Sequence, residues 1–527
     1  MERGSRRGSR VVLRDHGVDR GVCNRLRRRW RGRAPGSGRR GARWSGGCAE
    51  AVYGGPGGWG GGGGLVGSGA GVSDYLEFLA SKAPRFTGSG MTPYPMPDHL
   101  DDFQQHVAAF LLGIGRGLCA LDTGLGKGRT ALECLRQAGM ATNGRTLHMV
   151  PLAVARQIEK EGRGLGYDIQ VIGSMDDVRP GINVCNYDRL DKLDPTAFGA
   201  VSLDEADILA SLTGATARLL IDMFAETKFR FCWSATPAPN DHTELGAHAE
   251  FLGVMKSKEM LSRWFINDTA TASQEWRLKG HAQTDFWDWV ASWARCASNP
   301  EDLGFNGDRF RLPPLEVFRH HVESEMSTMD GTLFGADMSA TTMHAKKRET
   351  ATARAAIVAK LVAREPDEPW ILWCDNDAEA DAIVAAVPDC VEIRGTHTTA
   401  RKEAALADFA DGTIKRLVAK AAVYGKGLNW QHCARAAYIG RSFSYRTWYQ
   451  SVRRCWRFGQ TRPVHCHLIV AEGENQIGRV IDSKADKHET MKRAMPAAIR
   501  RSNGTVSRVL VPYTPQHKVE LPSWLVA

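Results

Sequence analysis

One stretch restricts this chain more than any other: an apolar run, Gly117-Leu-Cys-Ala-Leu121, a glycine-rich turn, Asp122-Thr-Gly-Leu-Gly-Lys-Gly-Arg129, and a helical pattern from Thr130 to Leu135. A strand that feeds a helix through so tight a turn belongs to an alternating α/β fold, where ligands collect at the carboxyl ends of parallel strands. Gly124 and Gly126 let the backbone approach a phosphate, and Lys127 would neutralise its charge at the helix N-terminus. A glycine turn without a ligand is the competing reading. The order strand, glycines, lysine, helix favours the phosphate loop.

A second element suits the first. The apolar run Ala200-Val-Ser-Leu203 ends in Asp204-Glu205-Ala206-Asp207. Acidic residues after such a run are usually a solvated turn or a helix start. Paired with a phosphate loop, they match what ATP hydrolysis needs, one carboxylate to hold magnesium and one to polarise the attacking water.

Along the chain, 527 residues are too many for one core and suggest two or three domains. No run of about 18 apolar residues occurs, so no transmembrane helix is expected. The 12 cysteines are scattered without C-x-x-C spacing, which points to a reducing cytoplasm and no zinc site. Residues 1–72 stand apart. The first 70 hold 15 arginines, no lysine, 4 acidic residues and 21 of the 55 glycines, so their excess of 11 positive charges leaves residues 71–527 at −1 out of a total of +10. Such a segment cannot bury a core and is expected to be disordered. It could serve as a nucleic-acid-binding arm, but its foreign composition favours an extension without a role.

From 73 to 249 strands and helices alternate, with a short helix expected at Asp74–Ala80, a longer one at Leu100–Leu112, and a strand Phe229–Trp233 leading into Ser234-Ala-Thr-Pro237. Residues 250–322 break the alternation. Phe286, Trp289, Val290 and Trp293 share a helical face there, better read as packed core than as a base-stacking platform. A polar linker is expected at 323–348. A second lobe follows over 349–495, with strands near 370–373, 391–393, 417–419, 437–439 and 464–470, and a tail over 496–527. This lobe has no phosphate loop, but Arg454 and Arg457 would share one helical face and could act as arginine fingers on an ATP site made by the other half.

Taken together, F-Q (103–104), D-T-G-L-G-K (122–127), V-P-L (150–152), D-E-A-D (204–207), S-A-T-P-A-P-N-D (234–241), G-K-G-L-N (425–429) and Q-S-V-R-R-C-W-R-F-G-Q (450–460) resemble a Snf-type ATPase of helicase superfamily two. The pattern is most similar to phage-encoded Snf-type DEAD/DEAH-box helicases and covers roughly residues 73–495. The resemblance implies two RecA-like lobes with ATP between them and DNA lying across both, in a bacterial or phage-infected host cytoplasm. It assigns Gln104 to adenine, and Thr123, Gly124, Leu125, Gly126, Lys127, Gly128 and Arg129 to the phosphate loop. Asp204 would bind magnesium and Glu205 the attacking water. Ser234, Ala235, Thr236 and Gln450 would couple the ATP site to the nucleic-acid face. Gly427 and Asn429 fall in the fifth motif, Arg454 and Arg457 in the sixth, whose R-F-G-Q ending favours duplex DNA over RNA.

One position departs from the family. The hydroxyl residue after the phosphate-loop lysine, normally a magnesium ligand, is Gly128 here, with Thr130 two residues on. The expectation is an ATP- and magnesium-dependent DNA translocase or helicase, active though slow. The alternative is a nucleotide- and DNA-binding scaffold that never turns over. Because the core is nearly neutral, contacts to DNA phosphates need locally clustered cations, with Lys420, Lys426 and Arg446 as candidates.

Overall fold

The computed structural model describes residues 86–503, except 152–153, 211–213, 269–274, 324–339, 426 and 472–473. The expected 1–72 tail, the helix at 74–80, Lys426 and the end of the chain after 503 lie outside the described residues.

Two parallel sheets organise the molecule, the two RecA-like lobes of a mixed α/β fold. In the first sheet β1 (Arg116–Leu121), β2 (Arg145–Val150), β3 (Ile169–Val171), β4 (Gly181–Asn186), β5 (Ala200–Asp204), β6 (Phe229–Trp233) and β9 (Ala294–Ala297) lie in the order β3-β4-β2-β5-β6-β1-β9. Between β6 and β9, β7 (Phe265–Asp268) and β8 (Glu275–Leu278) form a separate antiparallel pair. The second sheet has the order β10-β15-β14-β11-β13-β12, from β10 (Leu315–Val322), β11 (Trp370–Cys374), β12 (Cys390–Ile393), β13 (Arg416–Lys420), β14 (Arg435–Tyr438) and β15 (Val464–Ala471). Central strands such as β6 and β11 are buried along their whole length. Their near-continuous apolar sequences follow from helices covering both faces.

The Trp-rich stretch contains more than helices. Phe286, Trp289, Val290 and Trp293 are fully buried in the first lobe's core, as their spacing suggested. The helix carrying the first three, Gln283–Ala291, runs directly into β9, which pairs with β1 in the first sheet. β10, from the same stretch, pairs along its whole length with β15 of the second sheet. The polar segment expected as a linker over 323–348 ends in a helix, Ala340–Glu349, where Lys347 pairs with Asp375 at 2.6 Å.

A helix of 29 residues, Asn475–Asn503, follows β15 and overruns the boundary expected at 496. It leaves the second lobe and packs Met491, Met495, Ala498 and Ile499 into the core of the first. Among the described residues, no helix is long and apolar enough to cross a membrane.

Candidate functional site

The order of the first sheet sets β5, β6 and β1 side by side, so their carboxyl ends present Asp204-Glu205, Ser234-Ala-Thr236 and the phosphate loop together. The loop turns through Gly124 (φ 91) and Gly126 (φ 78), in a left-handed region that glycine enters freely. Gln104 is buried. Its side-chain amide donates to the Leu125 carbonyl at 3.1 Å, and its side-chain oxygen accepts from the Asp101 amide within a capping box at the start of helix Asp102–Ile114. Gln104, which the resemblance assigns to adenine, is joined to the phosphate loop through the Leu125 carbonyl. The Lys127 ammonium donates to the carbonyls of Leu121 (2.9 Å) and Asp122 (3.2 Å), and burial pulls it below its ordinary pKa. Thr123 is half-buried, Leu125 buried and Arg129 exposed.

Gly128 is exposed, and a Cβ built there would meet nothing within 4 Å. Thr130 does not replace the missing hydroxyl. Its side chain is buried, 3.2 Å from the Gly126 carbonyl to which it donates.

Asp204 closes β5, and Glu205 follows with a left-handed backbone (φ 48) that a non-glycine residue adopts only where its surroundings hold it. Burial first, and the Glu205 charge second, raise the Asp204 carboxyl above the usual range, while Lys127 acts against them. A cation beside this pair would oppose both effects by favouring the charged carboxylates. Among the described residues no cluster of three or more His, Cys, Asp or Glu gathers to hold a metal.

The second lobe closes directly over this edge. The Gln450 amide donates to Glu205 Oε2 at 3.2 Å and to Asp207 Oδ2 at 3.1 Å, and Arg446 forms an ion pair with Asp207. Arg446 is thus engaged in the cleft, and Lys420 forms a partly solvent-exposed ion pair with Asp377 at 2.9 Å. Arg454 and Arg457 both donate to the Leu428 carbonyl, at 2.9 and 3.0 Å. Burial, then the charges of Arg454 and Arg453, lower Arg457 to about 10, and its buried Nε has no partner among the described residues. Crowded buried guanidinium groups of this kind are suited to receive an anion. Gly427 has positive φ and packs against Val154 of the first lobe, whereas Asn429 is exposed.

Ser234, Ala235 and Thr236 follow β6 directly. Ser234 Oγ accepts from the Thr236 amide at 3.0 Å, and the Ala235 carbonyl contacts His488 Nε2 of the long helix at 3.3 Å. Ala235 also packs with Tyr445 and Tyr449 of the second lobe. Asp122, Tyr449, Arg453 and Lys492 were not singled out by sequence, yet they form a buried cluster between the lobes. Their signal in the sequence is slight: an acid that opens the glycine turn and one more arginine in the sixth motif.

No family model matches the chain, and no curated protein matches it. Among solved structures it is similar to the Sulfolobus solfataricus SWI2/SNF2 ATPase core in complex with double-stranded DNA, at 15% identity and a TM-score of 0.37, with 78% of this chain and 96% of that chain covered.

Proposed function

We propose that the chain is a magnesium-dependent ATPase that moves along duplex DNA by opening and closing its two lobes. The observation that carries this reading is Gln450, which reaches from the second lobe to Glu205 while Arg454 and Arg457 gather in the same turn. On this reading Lys127 and the loop amides bind the phosphates, and Glu205 orients the attacking water and accepts its proton. Arg454 and Arg457 hold the charge that develops on the transferred phosphoryl group. Asp204 would hold magnesium, which supplies charge neutralisation on the phosphate oxygens. Since these arginines come from the other lobe, closure would complete the site, and hydrolysis would release it.

The DNA track rests on the R-F-G-Q ending of the sixth motif and on the motif order. Contacts to DNA are expected through phosphates, without sequence preference, so affinity should fall steeply between low and high salt.

The test is steady-state ATP hydrolysis by the full chain with magnesium, alone and with plain duplex, forked DNA or RNA, using Glu205→Gln as the blank. Turnover that rises with duplex and vanishes in the blank supports the motor. Stimulation confined to forks or RNA would point to strand separation or branch migration. Nucleotide binding without turnover on any nucleic acid would leave the scaffold reading, which Gly128 favours.

A further inference from the structure

Asp122 is the first residue after β1, and its two ends face different lobes. Its carbonyl accepts from Lys127 within the phosphate loop, and its own amide donates to the Ala297 carbonyl of β9 at 2.9 Å. Its carboxylate is buried, and apart from the neighbouring Thr123 amide (2.6 Å) every partner is supplied by the second lobe and the long helix. Tyr449 donates to Oδ1 at 2.6 Å, Arg453 Nε to the same oxygen at 3.2 Å, Arg453 also pairs with Oδ2, and Lys492 lies 3.2 Å from Oδ2. Lys492 also donates to the Tyr449 hydroxyl at 3.0 Å.

We propose that Asp122 is a positioning residue, the counter-charge that allows the arginine turn of the second lobe to close on the phosphate loop. Arg453 precedes Arg454 in the chain, so the place where Arg453 is anchored sets where Arg454 and Arg457 stand. Without the carboxylate, closure would bury Arg453 with no counter-charge beside two further arginines and leave Lys492 only Glu489 at 3.6 Å, and a lone buried charge is far costlier than an exposed one. With it, closure neutralises them. Asp122 meets the nucleotide-binding loop through its carbonyl, which accepts from Lys127, and through the Thr123 amide, which donates to its carboxylate. The proposal rests on the reading of this cleft as an ATPase site, and it names the residue that joins lobe closure to that site.

Asp122→Asn keeps the shape and removes the charge. Lobe separation is read in the full chain by energy transfer between dyes on Lys160→Cys and Glu403→Cys, both exposed and on opposite lobes. Binding of a fluorescent ADP analogue and the rate of ATP hydrolysis are read in parallel. The expected result is a wider separation, nucleotide affinity within about threefold of the parent, and a maximal rate lower by about 20-fold or more. Arg453→Gln should behave alike, and the double variant should be no slower than either single one, because the two changes remove one interaction. Unchanged separation with turnover within about twofold of the parent overturns the proposal, as does a nucleotide affinity that falls by the same factor as the rate. Should the parent hydrolyse no ATP, the proposed function fails, and the separation measurement decides the role of Asp122: a wider gap upholds it and an unchanged gap overturns it.

Discussion

At position 128 a hydroxyl-bearing side chain has room, since a Cβ there meets nothing within 4 Å and the helix Lys127–Met140 has already begun. Gly128→Ser should therefore raise the unfolding free energy by about 0.5 kcal/mol from helix propensity alone, read from denaturant unfolding without magnesium. It should also lower the magnesium concentration needed for half-maximal turnover, because the added oxygen would lie one residue after Lys127. An unchanged magnesium requirement would mean that the cation does not sit against the start of this helix. Residues of this sort are legible in sequence because their chemistry is contiguous: Gly124, Gly126 and Lys127 share one turn, and Asp204 and Glu205 one strand end. Asp122 and Arg453 are not, since 331 residues separate them and only folding brings them together. Gln104 shows a third case. Its position is legible, but the contacts that occupy its amide come from Leu125 and Asp101.

Among the elements, the turn holding Phe458 packs so closely on the phosphate loop that a Cβ on Gly124 would lie 2.8 Å from Phe458 Cβ and 3.0 Å from its backbone nitrogen. With the positive φ of Gly124, Gly124→Ala should cost about 1–2 kcal/mol of stability from backbone strain and slow turnover by obstructing closure. Phe458→Ala should not rescue it, because the obstruction is the second lobe's backbone and Cβ rather than its ring. Rescue by that trimming, read in the hydrolysis rate, would show that the ring sets the approach. A different contact governs the helix Gln283–Ala291, whose Trp289 stacks on Trp264 with ring centroids 4.6 Å apart. Trp289→Ala should destabilise the first lobe by about 3–5 kcal/mol, measured by denaturant unfolding. This helix face is legible from spacing, but the strand beyond it is not. β9 is only Ala-Arg-Cys-Ala, too short for a period, and it is a strand because β1 lies beside it. β10 hides behind Pro313 and Pro314 in the same way, since its Glu316, Arg319, His320 and His321 do not resemble a buried strand, and most of it is exposed at the sheet edge beside β15.

Across the whole molecule, both lobes and the helix that ties them rely on histidines kept neutral by burial. His148 Nδ1 lies 3.1 Å from Ser202 Oγ, which accepts from Trp233 Nε1 at 2.7 Å, so the three residues link β2, β5 and β6. His248 sits in the first lobe's core. His488 joins the long helix to both lobes, with Nδ1 2.9 Å from the Tyr445 hydroxyl and Nε2 near the Ala235 carbonyl. Burial lowers His148 and His248 to about 4, and burial with the Lys492 charge lowers His488 to about 3. Below pH 6.5 the unfolded chain therefore binds protons that the folded chain refuses. Stability from these groups is complete above pH 6.5 and declines as the pH falls toward about 4, by about 1–2 kcal/mol per histidine at pH 5. Buried Asp204, Glu244 and Glu379 are raised and act in the opposite direction, and Asp204, raised to about 7, offsets about one histidine; His148, His248 and His488, joined by His467 of the second lobe at about 4, set the sign. Asp122 contributes nothing in this window, because its lowered carboxyl loses its charge only at more acidic pH. The denaturant midpoint should therefore fall steadily from pH 7 to pH 5, and His488→Gln should flatten that fall, since glutamine can still donate to Ala235 without titrating. Equal midpoints at pH 7 and pH 5 would mean that the buried carboxylates outweigh the histidines. A fall that His488→Gln leaves unaltered would place the titrating groups within the lobes and not at the helix that joins them.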